Sequence, residues 1–423
     1  MIKKIKTIIF QILRWSEKYT KTDMLYLTKG GFWLGIGQIT SSVAAFALSV
    51  VFANLVSPEV YGTYRYILSI CGLLAIPTLP GMATAITQAI AKNLEGSFIP
   101  AIKTKIKWGT LSGLGSIVIS IYYFIGHNQE LTICFLIAAL FLPIFDAFAS
   151  YDAVLSGKKD FRRSTLYFVI SQIIASIAII SAIALTKNLY IIIGAYFVSW
   201  TAVRVYFFLK TLKKYHLNQR TDDGTISYGI DLSLMGIIGS IANYLDKLLL
   251  YYYLGPTEVA IYSIAIAPPE QLKNTFKNIN VLAFPKYSEK HNESNNYLGL
   301  NSKLLKLFIF LTVMVAVYII FAPLVYQIFF PKYINAVIYS QIFSLSLLSI
   351  VANIPLIILQ ARTEKARLYF INTTASISQI ILLFIFIKYY GIMGAILARV
   401  ASRGLIAILL LILVSNQKNR GST

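Results

Sequence analysis

Charged residues are scarce in this sequence, and acidic residues are the scarcest. Only 13% of its 423 residues are charged, with 17 Asp and Glu against 38 Lys and Arg. A soluble domain carries about 25% charged residues, so this chain lacks the polar groups that would cover a surface in water. Because 57% of the residues are hydrophobic and the mean hydropathy is +0.69, the apolar excess must face lipid.

Cysteine and histidine are also few. The two cysteines, Cys71 and Cys134, lie inside apolar runs, and the three histidines are scattered in loops. This excludes a disulfide framework and any metal-ligating spacing. The sequence contains no Ser/His/Asp cluster and no glycine-rich phosphate loop, and no segment between apolar runs is long enough for a folded catalytic domain. We therefore expect no enzyme activity, no metal and no cofactor.

The net charge of +21 would suggest nucleic-acid binding in a soluble protein. Here the charge is spread over short loops between apolar runs, and membrane topology explains it better. The first segment carries basic residues beside apolar Ile5, Ile8 and Ile9. It lacks the cleavage site of a signal peptide and is typical of an amphipathic arm that lies on the membrane.

The apolar runs predict an all-α integral membrane protein. A spanning helix needs about 20 mostly apolar residues. About twelve segments satisfy this requirement, and they are 29–55, 62–90, 107–126, 131–155, 165–186, 189–211, 228–254, 258–284, 304–328, 333–360, 367–388 and 391–414.

Basic residues predict the orientation. Loops on the side of the N-terminus hold 30 Lys and Arg, whereas the alternate loops hold 3, namely Lys187, Lys332 and Lys388. By the positive-inside rule, both termini are cytoplasmic. The expected location is a bacterial plasma (inner) membrane.

The sequence also repeats itself at close to half its length. A shift of 198 residues pairs Ser57-Pro58 with Gly255-Pro256 and Tyr64 with Tyr262. Such a shift preserves orientation and predicts two parallel six-helix bundles with a V-shaped central cavity. We expect the first bundle, with its amphipathic arm, over 1–216, a cytoplasmic linker over 217–227 and the second bundle over 228–423.

Ionisable residues inside spans are costly in lipid and are functional hypotheses by default. Glu270 follows Pro268-Pro269, a pair predicted to break the eighth span, and Lys273 and Lys277 follow at helical spacing. The second span carries its own interruption at Pro77, Pro80 and Gly81. The other candidates within spans are Arg65, Asp146, Arg204, Asp246, Lys247, Arg399 and Arg403.

Several of these candidates admit a structural interpretation. Arg65 and Arg204 would reach the membrane surface by snorkelling, and Asp246 with Lys247 would form a structural ion pair or part of a cavity wall. Arg399 and Arg403 would anchor a lipid headgroup or bind substrate. Asp146 would be structural or take part in proton coupling.

Three segments resemble the polysaccharide-unit flippases of the multidrug/oligosaccharidyl-lipid/polysaccharide exporter superfamily. They are Thr28-Lys29-Gly30-Gly31 at the first span, Leu55-Val56-Ser57-Pro58-Glu59-Val60-Tyr61-Gly62-Thr63-Tyr64 between the first two spans, and Leu155-Ser156-Gly157 after the fourth. The resemblance covers essentially the whole length. It implies a central cavity lined by the second, seventh and eighth spans, with the twelfth span peripheral.

The function that this resemblance implies is translocation of a polyprenyl-diphosphate-linked oligosaccharide of the O-antigen type from the inner to the outer leaflet, for surface polysaccharide biosynthesis. The partners would be that substrate, membrane lipids and polysaccharide polymerases, and no nucleic acid. An ion-coupled multidrug exporter of the same superfamily and a membrane polysaccharide polymerase or ligase are the alternatives. The expected substrate-binding residues are Arg65, Lys247, Lys273, Lys277, Arg399 and Arg403, and the coupling or ion-pair candidates are Asp246, Glu270 and Asp146.

Topology reporters test the predicted orientation. Fusions after residues 58, 128, 188, 256 and 331 should report the outside, and fusions after 98, 160, 220, 290 and 364 the cytoplasm, because basic residues are retained on the cytoplasmic side. A reversed result at two or more adjacent sites would overturn the twelve-span topology.

Overall fold

A computed structural model of the chain describes residues 24–288, 300–361 and 365–420, and these residues are helical with no β-strand among them. The first part of the chain forms eight α-helices, with bounds α1 Met24–Leu55, α2 Pro58–Leu74, α3 Met82–Ala91, α4 Phe98–Ile125, α5 Gln129–Ala149, α6 Tyr151–Gly157, α7 Phe161–Leu185 and α8 Leu189–Lys214. The remaining helices are α9 Gly224–Met235, α10 Ile237–Leu254, α11 Pro256–Ser288, α12 Leu300–Phe329, α13 Val337–Ser344, α14 Asn353–Ala361 and α15 Lys365–Arg420. Short 3₁₀ turns connect some of them.

These helices make the chain a multi-pass membrane protein. Within the described ranges, eight helices are long and apolar enough to cross a membrane, and ten if each of two bent pairs, α2 with α3 and α9 with α10, is one span. The predicted amphipathic arm falls mostly before residue 24, outside the described residues. Twelve spans stay a prediction. The two spans beyond ten would come from α15, which is counted once although it contains two helices, and from α11, which is not among the ten.

Helix α15 is two helices joined at Gly391. That glycine has φ 55° and ψ −129°, a conformation that breaks the helix. A Cβ on Gly394 would lie 1.9 Å from the carbonyl oxygen of Phe386, whereas eight residues of straight helix span about 12 Å. The chain therefore turns back on itself here, and each half of α15 is long enough to cross the bilayer.

The predicted break in the second span is confirmed. Helix α2 ends at Leu74, Leu79 adopts a left-handed φ of 56°, and α3 begins at Met82 with a 46° bend between the two helices. The seventh span is also bent, by 41°, where Gly236 separates α9 from α10. This second bend was not expected from the sequence.

The predicted break at Pro268-Pro269 is wrong, because α11 runs without interruption from Pro256 to Ser288. Each proline lacks the N–H that would bond to the carbonyl four residues earlier, which leaves the carbonyls of Ile264 and Ala265 without a helical partner. The hydroxyl of Tyr326 on α12 lies 3.0 Å from the first and 3.5 Å from the second. Tyr326 is fully buried and satisfies these groups, so the helix continues.

Helix α4 shows how the spans pack. Its buried face carries Ser116 and Ser120, whose hydroxyls donate to the carbonyls of Phe135 and Thr132 on α5 at 2.8 and 2.9 Å. Its opposite face exposes Leu114 and Val118. Small polar residues inside and large apolar residues outside are typical of helices that pack in lipid.

The hydrophobic cores are unequal at the two ends of the molecule. One core joins both halves of the sequence and includes Phe52, Tyr64, Phe197, Tyr262 and Ile396. By the predicted topology this core lies on the outer side. At the end predicted to be cytoplasmic, one core forms around α3, α4 and α6, with α9 packed against it, and two others form within the second half of the sequence. The Gly81 N–H also donates to the Ser233 hydroxyl of α9 at 3.0 Å, so the two halves touch at this end too. The V-shaped cavity and the division into bundles at 217–227 stay predictions.

Two glycines let the two halves of the sequence meet closely. A Cβ on Gly62 of α2 would lie 1.8 Å from the carbonyl oxygen of Pro256, and one on Gly72 would lie 2.3 Å from the ring of Tyr244 on α10. The Glu59 carboxylate also accepts a hydrogen bond from Thr257 at 3.1 Å. These contacts fix α2 against α10 and the start of α11.

The substitution Gly62→Ala tests this contact. The new methyl group would overlap the Pro256 backbone, and such overpacking costs about 1–3 kcal/mol, so we expect a lower melting temperature for the purified protein in detergent. Gly194→Ala is the matched control, because nothing lies within 4 Å of its Cβ position, and alanine favours a helix by about 1 kcal/mol. Equal melting temperatures for the two variants would contradict the close packing.

Candidate functional site

The charged residues of the second half of the sequence converge inside the protein. Asp246 and Lys247 come from α10, Glu270 from α11, and Arg399 and Arg403 from the second half of α15. We call these five residues the charged cluster. Arg399 and Arg403 are one helical turn apart and therefore share a face, which α15 turns toward α10 and α11.

Asp246 is the most deeply buried member of the charged cluster, with no exposed surface. Its carboxylate lies 2.7 Å from the Arg399 guanidinium and 3.5 Å from Lys247 Nζ. It also accepts hydrogen bonds from the Tyr262 hydroxyl at 2.5 Å and from the Lys247 backbone N–H at 2.8 Å. An ionised carboxylate away from water requires such partners, and Asp246 has four.

Glu270 extends the charged cluster along α15. Its carboxylate forms an ion pair with Arg403 and lies 3.7 Å from Arg399 Nη1. Arg403 also donates to the Ser346 hydroxyl at 3.0 Å and lies over the Phe343 ring at 5.1 Å. Charges therefore alternate from Asp246 through Arg399 and Glu270 to Arg403 and join three helices.

The region around the charged cluster has more positive than negative charge. Arg65 on α2 lies close enough to Lys247 for their charges to interact, and Lys273 follows Glu270 by one turn and acts on its carboxylate. The charged cluster has three cationic side chains, and Arg65 and Lys273 bring the positive groups to five. The cluster has two carboxylates, so the positive charges exceed the negative ones by three. The Nε atoms of Arg65 and Arg399 are buried without a hydrogen-bond partner in the described part of the chain.

The structure therefore brings together five of the six expected substrate-binding residues. The side chain of the sixth, Lys277, lies outside the described residues, although its backbone belongs to α11. Arg399 is 8% exposed and paired with Asp246, which rules out a headgroup anchor at the protein surface. The arginines of the twelfth span pair with carboxylates on α10 and α11, and its peripheral place relative to a central cavity stays a prediction.

Asp146 lies apart from the charged cluster, in the first half of the sequence. Its carboxylate lies 3.6 Å from Arg204 Nη1 and accepts a hydrogen bond from Thr78 at 3.1 Å. Arg204 was expected to snorkel, but its guanidinium instead donates to the Phe145 carbonyl at 2.9 Å and lies over the Phe145 ring. Lys105 on α4 is 2% exposed and donates to the carbonyl of Leu79 at 3.4 Å.

Sequence reasoning identified the charged residues but not their pairing. The partner of Asp246 was expected to be its neighbour Lys247, whereas the shorter contact is with Arg399, 153 positions away in the chain. The available signal was the sign of the charges inside spans, since Asp246 and Glu270 are acidic and Arg399 is basic. In the described part of the chain no group of acidic, histidine and cysteine side chains is arranged to hold a metal ion.

A family model described as "Polysaccharide biosynthesis protein" matches residues 27–285. This range covers more than half of the chain. The chain belongs to the polysaccharide biosynthesis protein family. No curated protein matches it.

Solved structures with the same fold are transporters. The lipid II flippase MurJ in an inward closed conformation superposes with a TM-score of 0.71 at 17% identity and covers 90% of this chain and 87% of its own. A MATE protein in complex with MaD5 gives 0.66 at 12% identity, covering 94% and 96%. A transporter of the same superfamily from Pyrococcus furiosus, described as having a binding pocket of reversed polarity, gives 0.54 at 14% identity, covering 94% and 96%. These likenesses confirm the predicted all-α membrane fold, while its twelve helices and two bundles stay predictions.

Removing Arg399 tests the charged cluster. In Arg399→Met, Asp246 loses its shortest ionic contact while it remains buried, and breaking a buried pair costs about 3–5 kcal/mol. We expect a corresponding fall in the free energy of unfolding, measured by titration with a denaturing detergent.

The control is Arg163→Met, which removes the surface pair between Arg163 and Asp160 and should cost at most about 1 kcal/mol. If Arg399→Met were no more destabilised than this control, the buried ion pair would not hold the helices together.

Proposed function

We propose that this protein is a flippase that moves a polyprenyl-diphosphate-linked oligosaccharide of the O-antigen type across a bacterial plasma (inner) membrane, from the inner to the outer leaflet. The observation that carries the proposal is the excess of three positive charges around the charged cluster, inside a membrane protein of a polysaccharide biosynthesis family. The transported unit would then enter surface polysaccharide biosynthesis.

The substrate explains why such costly charges are present. A diphosphate bears about two negative charges and cannot enter hydrocarbon without compensation. Contacts between cationic side chains and phosphate oxygens are short and roughly twice as strong as neutral hydrogen bonds. The diphosphate would be bound by Arg65, Lys247 and Lys273. Lys277 would also bind it, from the same helix as Lys273. Arg399 and Arg403 would keep the carboxylates of Asp246 and Glu270 from repelling it.

Alternating access would use the unequal contacts between the two halves of the sequence. Both halves share one core at the predicted outer side, whereas at the other side α9 is the part of the second half that packs on the core of the first. In the proposed arrangement of two six-helix bundles, 1–216 and 228–423, with both termini in the cytoplasm, substrate would enter from the cytoplasm when α9 separates from α3. The bundles would then rock about the charged cluster and open outward, delivering the lipid-linked unit to a polysaccharide polymerase.

An ion-coupled multidrug exporter has the same fold and is the rival function. Such a protein would offer a free carboxylate to a cationic drug. Here Asp246 and Glu270 are both paired with arginines, and Lys247 and Lys273 lie beside them. These contacts favour an anionic substrate over a cationic one. A polymerase or ligase is less well supported, because the superposed structures are transporters.

Charge removal tests the proposal in cells. Arg65→Gln with Lys273→Gln removes two of the positive charges and keeps polar side chains, so we expect loss of surface polysaccharide at unchanged protein level in the membrane. The matched control is Lys107→Gln with Lys187→Gln, two lysines that are exposed and lie away from the charged cluster. Wild-type export by the first variant would contradict the assignment of diphosphate binding to these cations.

A further inference from the structure

A second polar region of the molecule lies in the first half of the sequence, away from the charged cluster. It is a cavity of about 390 Å³ between α1, α6, α7 and α8, with a floor at the α5–α6 junction. Its volume lies in the range of about 300–1,000 Å³ that ligand sites occupy. The groups that line it are Gln38, Asp152, Ser164, Thr165, Phe168 and Trp200.

The lining combines hydrogen-bonding groups with aromatic surfaces. The Asp152 side chain is exposed in the cavity and accepts one hydrogen bond, from Ser164 at 2.5 Å. A carboxylate has about four lone-pair positions, so most of its acceptor capacity remains. Gln38 adds an amide that both donates and accepts. Trp200 and Phe168 supply flat apolar area at the same wall.

The charges at this cavity balance, in contrast to those of the charged cluster. Arg204 reaches its wall, but its guanidinium is held by the Asp146 carboxylate, the Phe145 carbonyl and the faces of Phe145 and Trp200. The charged groups that line the cavity are thus one carboxylate, Asp152, and one engaged cation, Arg204. The cavity therefore offers no net positive charge to a phosphate. It suits a neutral ligand with many hydroxyl groups.

A second cavity of about 340 Å³ lies on the other side of the same junction and shares Ala149 and Asp152 with the first. It adds the hydroxyl groups of Thr84, Thr87 and Ser150. The two cavities together provide room and hydrogen-bonding groups for more than one sugar ring.

The two regions flank the same interface. Tyr244 on α10 packs on Gly72 of α2 and lies within electrostatic range of both Asp146 and Arg65. Tyr244 is thus near Arg65 on one side and near Asp146, which lines the second cavity, on the other.

We propose that the cavity lined by Gln38, Asp152 and Trp200 is a glycan subsite, which binds the sugar rings of the lipid-linked substrate while the charged cluster binds its diphosphate. This assignment rests on the proposed function and divides its substrate between two sites. A pyranose ring has apolar C–H faces that stack on Trp200 and a rim of hydroxyls that bond to Asp152, Ser164 and Gln38. Recognition of the glycan is thus separate from recognition of the lipid diphosphate.

Binding of paired probes tests the subsite. The full chain in lipid nanodiscs is titrated with bare polyprenyl diphosphate and with a panel of the same lipid carrying a hexose, an N-acetylhexosamine or a disaccharide. We expect at least one glycosylated probe to bind about tenfold tighter than the bare lipid, as a few net hydrogen bonds and one stacking contact provide.

Three variants assign this gain to the cavity. Trp200→Ala should abolish the tenfold gain and leave the affinity for bare lipid unchanged, while Trp200→Tyr retains the ring and should keep most of the gain. Gln38→Ala should lose a part of it. The matched control is Trp108→Ala on α4, an exposed tryptophan outside the cavity, which should bind every probe as the wild type does.

The outcomes separate the two proposals. If wild-type protein binds bare and glycosylated lipids equally, or if Trp200→Ala and Gln38→Ala both keep the full gain, the glycan subsite is wrong and the proposed function stands. If wild-type protein binds no lipid diphosphate, the proposed function itself fails. Arg65→Gln should weaken the bare and glycosylated probes by the same factor, because it acts on the diphosphate alone.

Discussion

The ion pair between Asp246 and Arg399 is the contact on which the second half of the structure depends. A buried carboxylate in a membrane span is tolerated only with compensating charge and hydrogen bonds, and Asp246 obtains these from α10, α11 and α15 at once. Glu270 and Arg403 repeat the arrangement one turn further along. The same residues leave an excess of positive charge, so the requirement for stability and the proposed affinity for an anionic substrate arise from one set of side chains.

Backbone carbonyls inside the membrane, like the buried carboxylates, need hydrogen-bonding partners. The carbonyls left by Pro268 and Pro269 are bonded by Tyr326, and the break in the second span is supported by Lys105 at Leu79 and by Asp146 at Thr78. These two departures from a regular helix are thus matched by polar groups from other spans, as membranes require. Glycines at the α2 interface serve packing instead, since they let helices from the two halves of the sequence approach.

The sequence predicted features that depend on local composition and missed those that depend on partners. Apolar runs and basic loops predicted an all-helical membrane protein, and Pro77, Pro80 and Gly81 predicted the bend after α2. The helix break predicted at Pro268-Pro269 does not occur, because the Tyr326 hydroxyl bonds to the carbonyls that the two prolines leave without a helical partner. The charged residues were identified by their cost in lipid, but the pairing of Asp246 with Arg399 joins helices far apart in sequence. Nothing in the local pattern around Gln38 or Trp200 indicated a shared cavity.

Transport itself tests the central claim most directly. The purified full chain is reconstituted into liposomes that carry a fluorescent polyprenyl-diphosphate-linked oligosaccharide in both leaflets, and a membrane-impermeant reagent then quenches the outer leaflet. If the protein is a flippase for this class of lipid, the inner-leaflet signal should decay over time with wild-type protein and stay protected without protein. Protection of the inner pool at the level of protein-free liposomes, with the protein shown to be folded and inserted, would contradict the account.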